Sequence, residues 1–148
     1  MEFYFGCGRK EERIIGMIGV LLVSHGKMAE GVLDAAGMFV PDMPQAEAVS
    51  LSPSDSPEEF AARLREALGR VDTGDGAVIL ADLKGGTPCN QAALLTGERV
   101  RLLAGMNLAL VMEVLLGREG AAGAKELAES AMEMGKDAMA DISALLGK

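Results

Sequence analysis

The sequence predicts an α/β fold, a three-layer sandwich in which a mainly parallel four-stranded sheet lies between layers of helices. Two observations predict it. Short apolar runs alternate with stretches of helical periodicity in the pattern βαβαβαβαα, which is typical of parallel strands joined by right-handed crossovers. The first and third runs are also continuously apolar, as expected of strands that helices cover on both faces. The 148 residues suffice for one core, and we expect the strand order 2-1-3-4.

The first two strands and the helix between them are predicted from residue 17 to residue 51. Residues 17–24 form an unbroken apolar run that predicts a central strand. Apolar residues then recur at helical spacing over residues 28–39, and Pro41 ends that helix. Residues 46–51 are expected to form a short second strand.

The second helix and the third strand follow. Ser56 is a good N-cap with Glu59 three residues later, the pattern of a capping box, so we expect a helix from there to about residue 70. A turn rich in Asp and Gly separates it from the apolar run Ala77–Ala81. The third strand therefore ends next to a carboxylate, Asp82.

The last third of the chain predicts one strand and three helices. Pro88 suits a first helical position, which makes Thr87 the expected N-cap of a third helix that runs to about residue 96. Val100–Ala104 reads as the fourth strand. Helical periodicity over residues 108–116 and 125–139 predicts two more helices.

Composition excludes several classes of function. A formal net charge of -8 opposes nucleic-acid binding, because a phosphate backbone is neutralised by clustered Lys and Arg. No apolar run approaches the roughly 20 residues of a membrane-spanning helix. Two distant cysteines, Cys7 and Cys89, match neither a disulfide scaffold nor a metal site. We therefore expect a soluble protein of the cytoplasm.

Residues 1–16 differ from the rest of the chain. They hold three of its five aromatic residues beside a charged run, and they resemble neither a signal peptide nor an amphipathic anchor. We expect this segment to be a disordered extension or a cloning-derived tail, and the domain to span residues 17–148.

Three features predict one site at the carboxyl edge of the sheet. His25 follows the first strand, Asp82 ends the third, and Gly85, Gly86 and Thr87 lead into a helix. A carboxylate that accepts a hydrogen bond from one ring N–H orients an imidazole and leaves the other nitrogen able to attack. Backbone N–H groups at a glycine-rich helix start can bind a phosphate. These residues predict a phosphohistidine site.

Two other residues suggest different chemistry. Ser24 next to His25 could suggest a hydrolase, but consecutive strand residues point to opposite faces. Cys89 near a helix start could suggest a reactive thiol, although a small buried apolar residue is the commoner role.

Motifs at the ends of three predicted strands carry a resemblance to a known family. They are residues 23–26 (Val-Ser-His-Gly), 82–90 (Asp-Leu-Lys-Gly-Gly-Thr-Pro-Cys-Asn) and 104–108 (Ala-Gly-Met-Asn-Leu). From residue 17 onward the chain resembles the mannose-family IIA component of the bacterial phosphoenolpyruvate-dependent sugar phosphotransferase system. The specific part is the motif with paired glycines.

The resemblance implies an enzyme component that relays a phosphoryl group in sugar uptake. It implies a cytoplasmic homodimer that accepts phosphate from HPr onto Nε2 of His25 and passes it to a histidine of a IIB component. Asp82 would bond to Nδ1, and residues 85–87 would face the phosphate. No cofactor or metal is implied, and contact with the membrane would be indirect, through the permease complex.

The family also implies features that this sequence leaves open. Its last segment can form an antiparallel edge strand exchanged between subunits, whereas residues 137–146 suit either a helix or a strand. Lys84 and Cys89 stand where the family commonly has larger apolar or aromatic side chains, so the rim of the site is expected to differ. Lys84 is either a solvated loop residue or a positive charge near the phosphate.

Three alternatives remain at this point. The chain could be a regulatory module that kept the fold without productive transfer. It could donate phosphate to a dihydroxyacetone kinase, although the loop after strand three in such donors usually lacks Gly-Gly-Thr-Pro. It could be a tetrapyrrole metal chelatase, but a single histidine with no acidic cluster offers few ligands.

Overall fold

A computed structural model describes residues 17–148 as an α/β sandwich; the predicted extension, residues 1–16, lies outside the described residues. Its four strands are all parallel, in the order β2-β1-β3-β4. The predicted class and strand order are confirmed. The elements are β1 Gly19–His25, α1 Met28–Ala36, β2 Ala46–Leu51, α2 Pro57–Val71, β3 Ala77–Ala81, α3 Thr87–Ala93, β4 Val100–Ala104, α4 Leu108–Gly117, α5 Ala124–Asp137 and α6 Ile142–Leu145.

Alternation along the central strands divides the core into two layers. Val20 and Leu22 of β1 pack toward α1, α4 and α5. Leu21 and Val23 pack toward α2 and α3 on the other face. All four side chains are fully buried, and each contributes about 1.5–3 kcal/mol of hydrophobic stabilisation. The run is continuously apolar because helices cover both faces of β1, as its pattern predicts.

Several boundaries differ from the sequence prediction. β1 begins at Gly19, two residues later than predicted, and ends on His25, one residue later than predicted, because His25 still pairs with Leu51 of β2. α1 ends at Ala36, and a turn at residues 37–39 replaces the expected last helical turn. The N-cap of α3 is Gly86, with Thr87 as the first helical residue.

The C-terminal segment, which the sequence left open between helix and strand, forms a short helix. Asp141 caps α6, with its side chain accepting a hydrogen bond from the N–H of Ala144. An exchanged edge strand stays a prediction. None of the helices within residues 17–148 is long and apolar enough to cross a membrane.

The amino edge of the sheet is closed by two polar side chains. Gln45 has a positive φ of 54°, and its amide donates hydrogen bonds to the carbonyls of Val71 (2.7 Å) and Met17 (3.0 Å). Arg118 is 3% exposed and donates to the carbonyl of Ile18 at 3.1 Å. Because these bonds satisfy buried carbonyls, the edge opposite the site is tied to the ends of α2 and α4.

Two glycines give a matched test of this packing. A Cβ on Gly19 would lie 2.4 Å from the carbonyl oxygen of Val71, whereas a Cβ on Gly69, inside α2, would meet nothing within 4 Å. We expect Gly19→Ala to lower the free energy of unfolding by about 1–3 kcal/mol. Gly69→Ala should raise it by about 0.5–1 kcal/mol, since alanine favours a helix interior. Urea unfolding measures both, and equal stability of the two variants would contradict the close contact.

Candidate active site

The candidate site lies where the connections from two neighbouring strands leave the sheet in opposite directions. β1 and β3 pair directly, from Gly19↔Ala77 to Val23↔Ala81. The helix that follows β1 packs on one face of the sheet and the helix that follows β3 packs on the other. A crevice forms at such a point in open α/β sheets. The sequence prediction that these two strand ends meet is therefore confirmed.

His25 and Asp82 form a bonded pair at the ends of these strands. Oδ2 of Asp82 lies 2.8 Å from Nδ1 of His25, and it also accepts the backbone N–H of His25 at 2.9 Å. The side chain of His25 is 48% exposed and that of Asp82 is 10% exposed. The imidazole is thus held along one edge while its other edge remains open to a partner.

The environment of Asp82 keeps its carboxyl ionised at neutral pH. Burial opposes ionisation, but hydrogen bonds from the side chain and the backbone of His25 outweigh it and lower the pKa of Asp82. The backbone N–H of Leu83 makes a smaller contribution in the same direction. An ionised carboxylate can only accept, so Nδ1 carries the proton. Nε2 is then left with a free lone pair.

The loop after Asp82 packs against the imidazole. A Cβ on Gly86 would lie 2.6 Å from Cε1 of His25 and 3.3 Å from Nε2. Only a residue without a side chain fits under the ring in this arrangement. Gly86 therefore places the loop backbone beside the nitrogen that is free to react.

The N–H groups of this loop have different partners. That of Gly86 donates to the carbonyl of Leu83 at 3.2 Å. The N–H groups of Gly85 and Thr87, and the Thr87 hydroxyl, have no hydrogen-bond partner among the described residues. Gly85 adopts a φ of +86°, a left-handed conformation that suits glycine. The loop thus offers two N–H groups and one hydroxyl to an anion.

Asn90 holds this loop in place. Its side-chain amide donates to the carbonyl of Gly85 at 3.0 Å, and its backbone N–H donates to that of Gly86 at 2.8 Å. Asn90 is the last residue of the motif at 82–90, and the sequence alone predicted no role for it. The carbonyl of Gly85 shares a peptide group with the N–H of Gly86, and the carbonyl of Gly86 shares one with the N–H of Thr87. Because both carbonyls point toward α3, these two N–H groups point away from it.

Ser24 has a structural role that the sequence analysis did not find. It is fully buried, its Oγ accepts the N–H of Ala29 at 2.7 Å, and it donates to the carbonyl of Gly26 at 3.2 Å. It thereby caps α1, whose N-cap residue Lys27 makes no side-chain capping bond. Ser24 faces the side of the sheet opposite to His25, which is the geometry that argued against a hydrolase pair.

Two further residues differ in accessibility. Cys89 is 8% exposed and belongs to the core beneath α3, as a small buried apolar residue should. Lys84 is exposed on the loop. Within residues 17–148, no three His, Cys, Asp or Glu side chains are grouped closely enough to hold a metal ion.

The lowered pKa of Asp82 predicts a pH-dependent contribution to stability. A carboxyl with a depressed folded pKa stabilises the protein above its unfolded pKa of about 4, and the effect is lost as pH falls through the folded value. We expect Asp82→Asn to lower the free energy of unfolding at pH 7 by about 1–3 kcal/mol. The difference should shrink as pH falls through the folded pKa of Asp82.

Urea unfolding between pH 2.5 and pH 7 measures this difference. The exposed Asp34 provides a control, and Asp34→Asn should have little effect at any pH. A deficit of Asp82→Asn that persists undiminished at low pH would contradict the charged hydrogen bond.

Comparison with known proteins identifies the family of this chain. Residues 19–133 match the family model EIIA-man, described as PTS system fructose IIA component. A Bacillus subtilis PTS system fructose-specific EIIA component is 30% identical over 70% of this chain and 72% of its own length. An Escherichia coli PTS system mannose-specific EIIAB component is 26% identical over 86% of this chain. The alignment covers 40% of that longer relative.

Solved structures show the same fold. The mannose/sorbose specific IIA subunit of Enterococcus faecalis superposes with a TM-score of 0.74 at 34% identity, over 84% of this chain and 94% of its own. An EIIA component from Streptococcus agalactiae gives a TM-score of 0.79 at 23% identity, over 86% and 99% of the two chains, which supports the fold alone. The chain therefore belongs to the EIIA-man family and is a IIA component of the sugar phosphotransferase system.

Proposed function

We propose that this chain relays a phosphoryl group, accepting it from HPr on Nε2 of His25 and passing it to a histidine of a IIB component. The observation that carries the proposal is the 2.8 Å contact between Asp82 Oδ2 and His25 Nδ1. It selects the tautomer in which the exposed ring edge carries the nucleophilic nitrogen.

The transfer needs no proton to move at His25. The lone pair of Nε2 forms a bond to phosphorus, while the bond between phosphorus and the nitrogen of the donor imidazole breaks and its electron pair returns to the donor. Because Nδ1 keeps its proton, the His25 ring becomes positively charged as the new bond forms. The carboxylate of Asp82 stabilises this charge, as buried carboxylates stabilise an imidazolium in other active sites.

The loop from Gly85 to Thr87 is proposed to hold the transferred group. Its two N–H groups without partners and the Thr87 hydroxyl lie next to Gly86, which contacts the Nε2 edge of the ring. Donors fixed in advance near developing negative charge each contribute on the order of 3 kcal/mol in a shielded site. Negative charge on the three phosphoryl oxygens is what such donors would stabilise.

His25 and the loop provide the most direct test. Incubation with phosphoenolpyruvate, enzyme I and HPr should add one acid-labile phosphoryl group, detected by intact-protein mass spectrometry, and His25→Ala should accept none. The Cβ of Gly86→Ala would lie 2.6 Å from Cε1 of His25, so the ring must shift by about 1 Å to relieve the clash. We expect a shift of that size to slow the reaction by about 100-fold.

A glycine elsewhere controls for the substitution. Gly97→Ala meets nothing within 4 Å and should react at the normal rate. A phosphoryl group that persists in His25→Ala, or an unmodified wild-type chain, would refute the relay.

We also propose that the chain is a homodimer joined through its C-terminal segment. Large apolar side chains are exposed there, and contiguous exposed apolar surface is typical of interfaces. β4 is an edge strand of the sheet and can accept a neighbour. The exposed residues of the segment are Met139 (84%), Ile142 (60%), Leu145 (73%) and Leu146 (66%).

Light scattering on the full chain should give twice the mass of one chain. The double variant Ile142→Asp with Leu145→Asp should be monomeric, because a charge buried in an interface is costly. Met38 is an apolar residue outside this segment and is 85% exposed. The control variant Met38→Asp should therefore remain dimeric. A monomeric wild-type chain would contradict the dimer.

A further inference from the structure

Two lysines lie on the two loops that form the site. Lys27 is two residues beyond His25 and is the N-cap residue of α1. Lys84 lies between Asp82 and Gly86, on the loop that packs against the ring. Both are exposed, and neither makes a side-chain hydrogen bond or an ion pair within the described part of the chain.

Both lysines are within reach of a group bound at Nε2. Consecutive Cα atoms are about 3.8 Å apart, so the Lys27 Cα lies within about 8 Å of the His25 Cα, and the Lys84 Cα within about 8 Å of the Gly86 Cα. Gly86 itself contacts the ring. A lysine side chain extends on the order of 6 Å and rotates freely when exposed. Either ammonium can therefore approach the open edge of the imidazole.

The two lysines stand next to helices on opposite faces of the sheet. Lys27 begins a helix on one face of the sheet, and Lys84 precedes a helix on the other. Three carboxylates that follow β1, β2 and β3 in the chain have partners of their own: Asp82 bonds to His25, Glu30 to the hydroxyl of Ser50 and Asp55 to Arg63. In a chain of net charge -8, these two cations flank the one histidine.

We propose that Lys27 and Lys84 bind the non-transferred oxygens of the phosphoryl group on its way to and from His25. This inference rests on the proposed relay. Their charges oppose the repulsion between an acidic protein and an incoming dianion. The bonds that form and break are those of the relay step, and neither lysine takes part in a proton transfer. The chemistry recognised is a phosphoryl group, from a small donor or from a carrier protein.

The test uses the full chain with two donors, phosphoramidate as a small molecule and phosphorylated HPr as a protein. We expect Lys27→Gln and Lys84→Gln each to lower the second-order rate constant for phosphorylation of His25 by roughly 3- to 10-fold with both donors. The losses should shrink as ionic strength rises. Lys84→Arg should keep most of the rate, because it keeps the charge.

Lys125→Gln makes the same charge change on α5, where Lys125 pairs with Glu129, and should leave both rates unchanged. Losses with HPr alone would overturn the proposal, since they would assign the lysines to protein docking. Unchanged rates with both donors would overturn it as well. A wild-type chain that neither donor phosphorylates would instead refute the relay itself, and the inference with it.

Discussion

The site depends on the hydrogen-bonded pair of His25 and Asp82, and the pair depends on the parallel pairing of β1 with β3. Both residues sit at strand ends in matching register, since Val23 pairs with Ala81 and Asp82 donates its backbone N–H to Val23. A shift of one residue would turn the imidazole to the other face. The buried strands therefore determine which edge of the ring is held and which is open.

Consecutive residues of β1 point to opposite faces of the sheet, so a structural residue, Ser24, lies directly next to the candidate reactive residue, His25. Ser24 faces α1 and is buried, where it satisfies the backbone of the helix start and of Gly26. His25 faces α3 and is half exposed. Gly26 adopts a φ of +55°. The tight turn at this residue lets the chain pass directly from β1 into α1, on the face of the sheet opposite to α3. The imidazole is thus presented on a rigid strand end, which positions it better than a loop can.

Sequence patterns predicted the fold because each strand and helix is specified locally, by apolar runs, capping residues and glycine-rich turns. They also predicted that His25 and Asp82 meet, because parallel strands bring their carboxyl ends to one edge. They missed the cap that Ser24 provides, since no spacing rule links a strand residue to a helix that begins after a tight turn. Arg118 was missed too, because its partners, the carbonyls of Ile18 and Gln45, are distant in sequence.

A relay must bind the phosphoryl group strongly enough to take it and weakly enough to release it. Uniform stabilisation of the bound group would only trap it. In the proposed relay Asp82 would act on the ring, so its effect would grow as the phosphorus–nitrogen bond forms and decline as that bond breaks. The proposed contacts of the exposed lysines with the phosphoryl oxygens would be weakened by solvent. A carboxylate that acts on the ring, together with such solvated cations, would therefore favour transfer in both directions over storage.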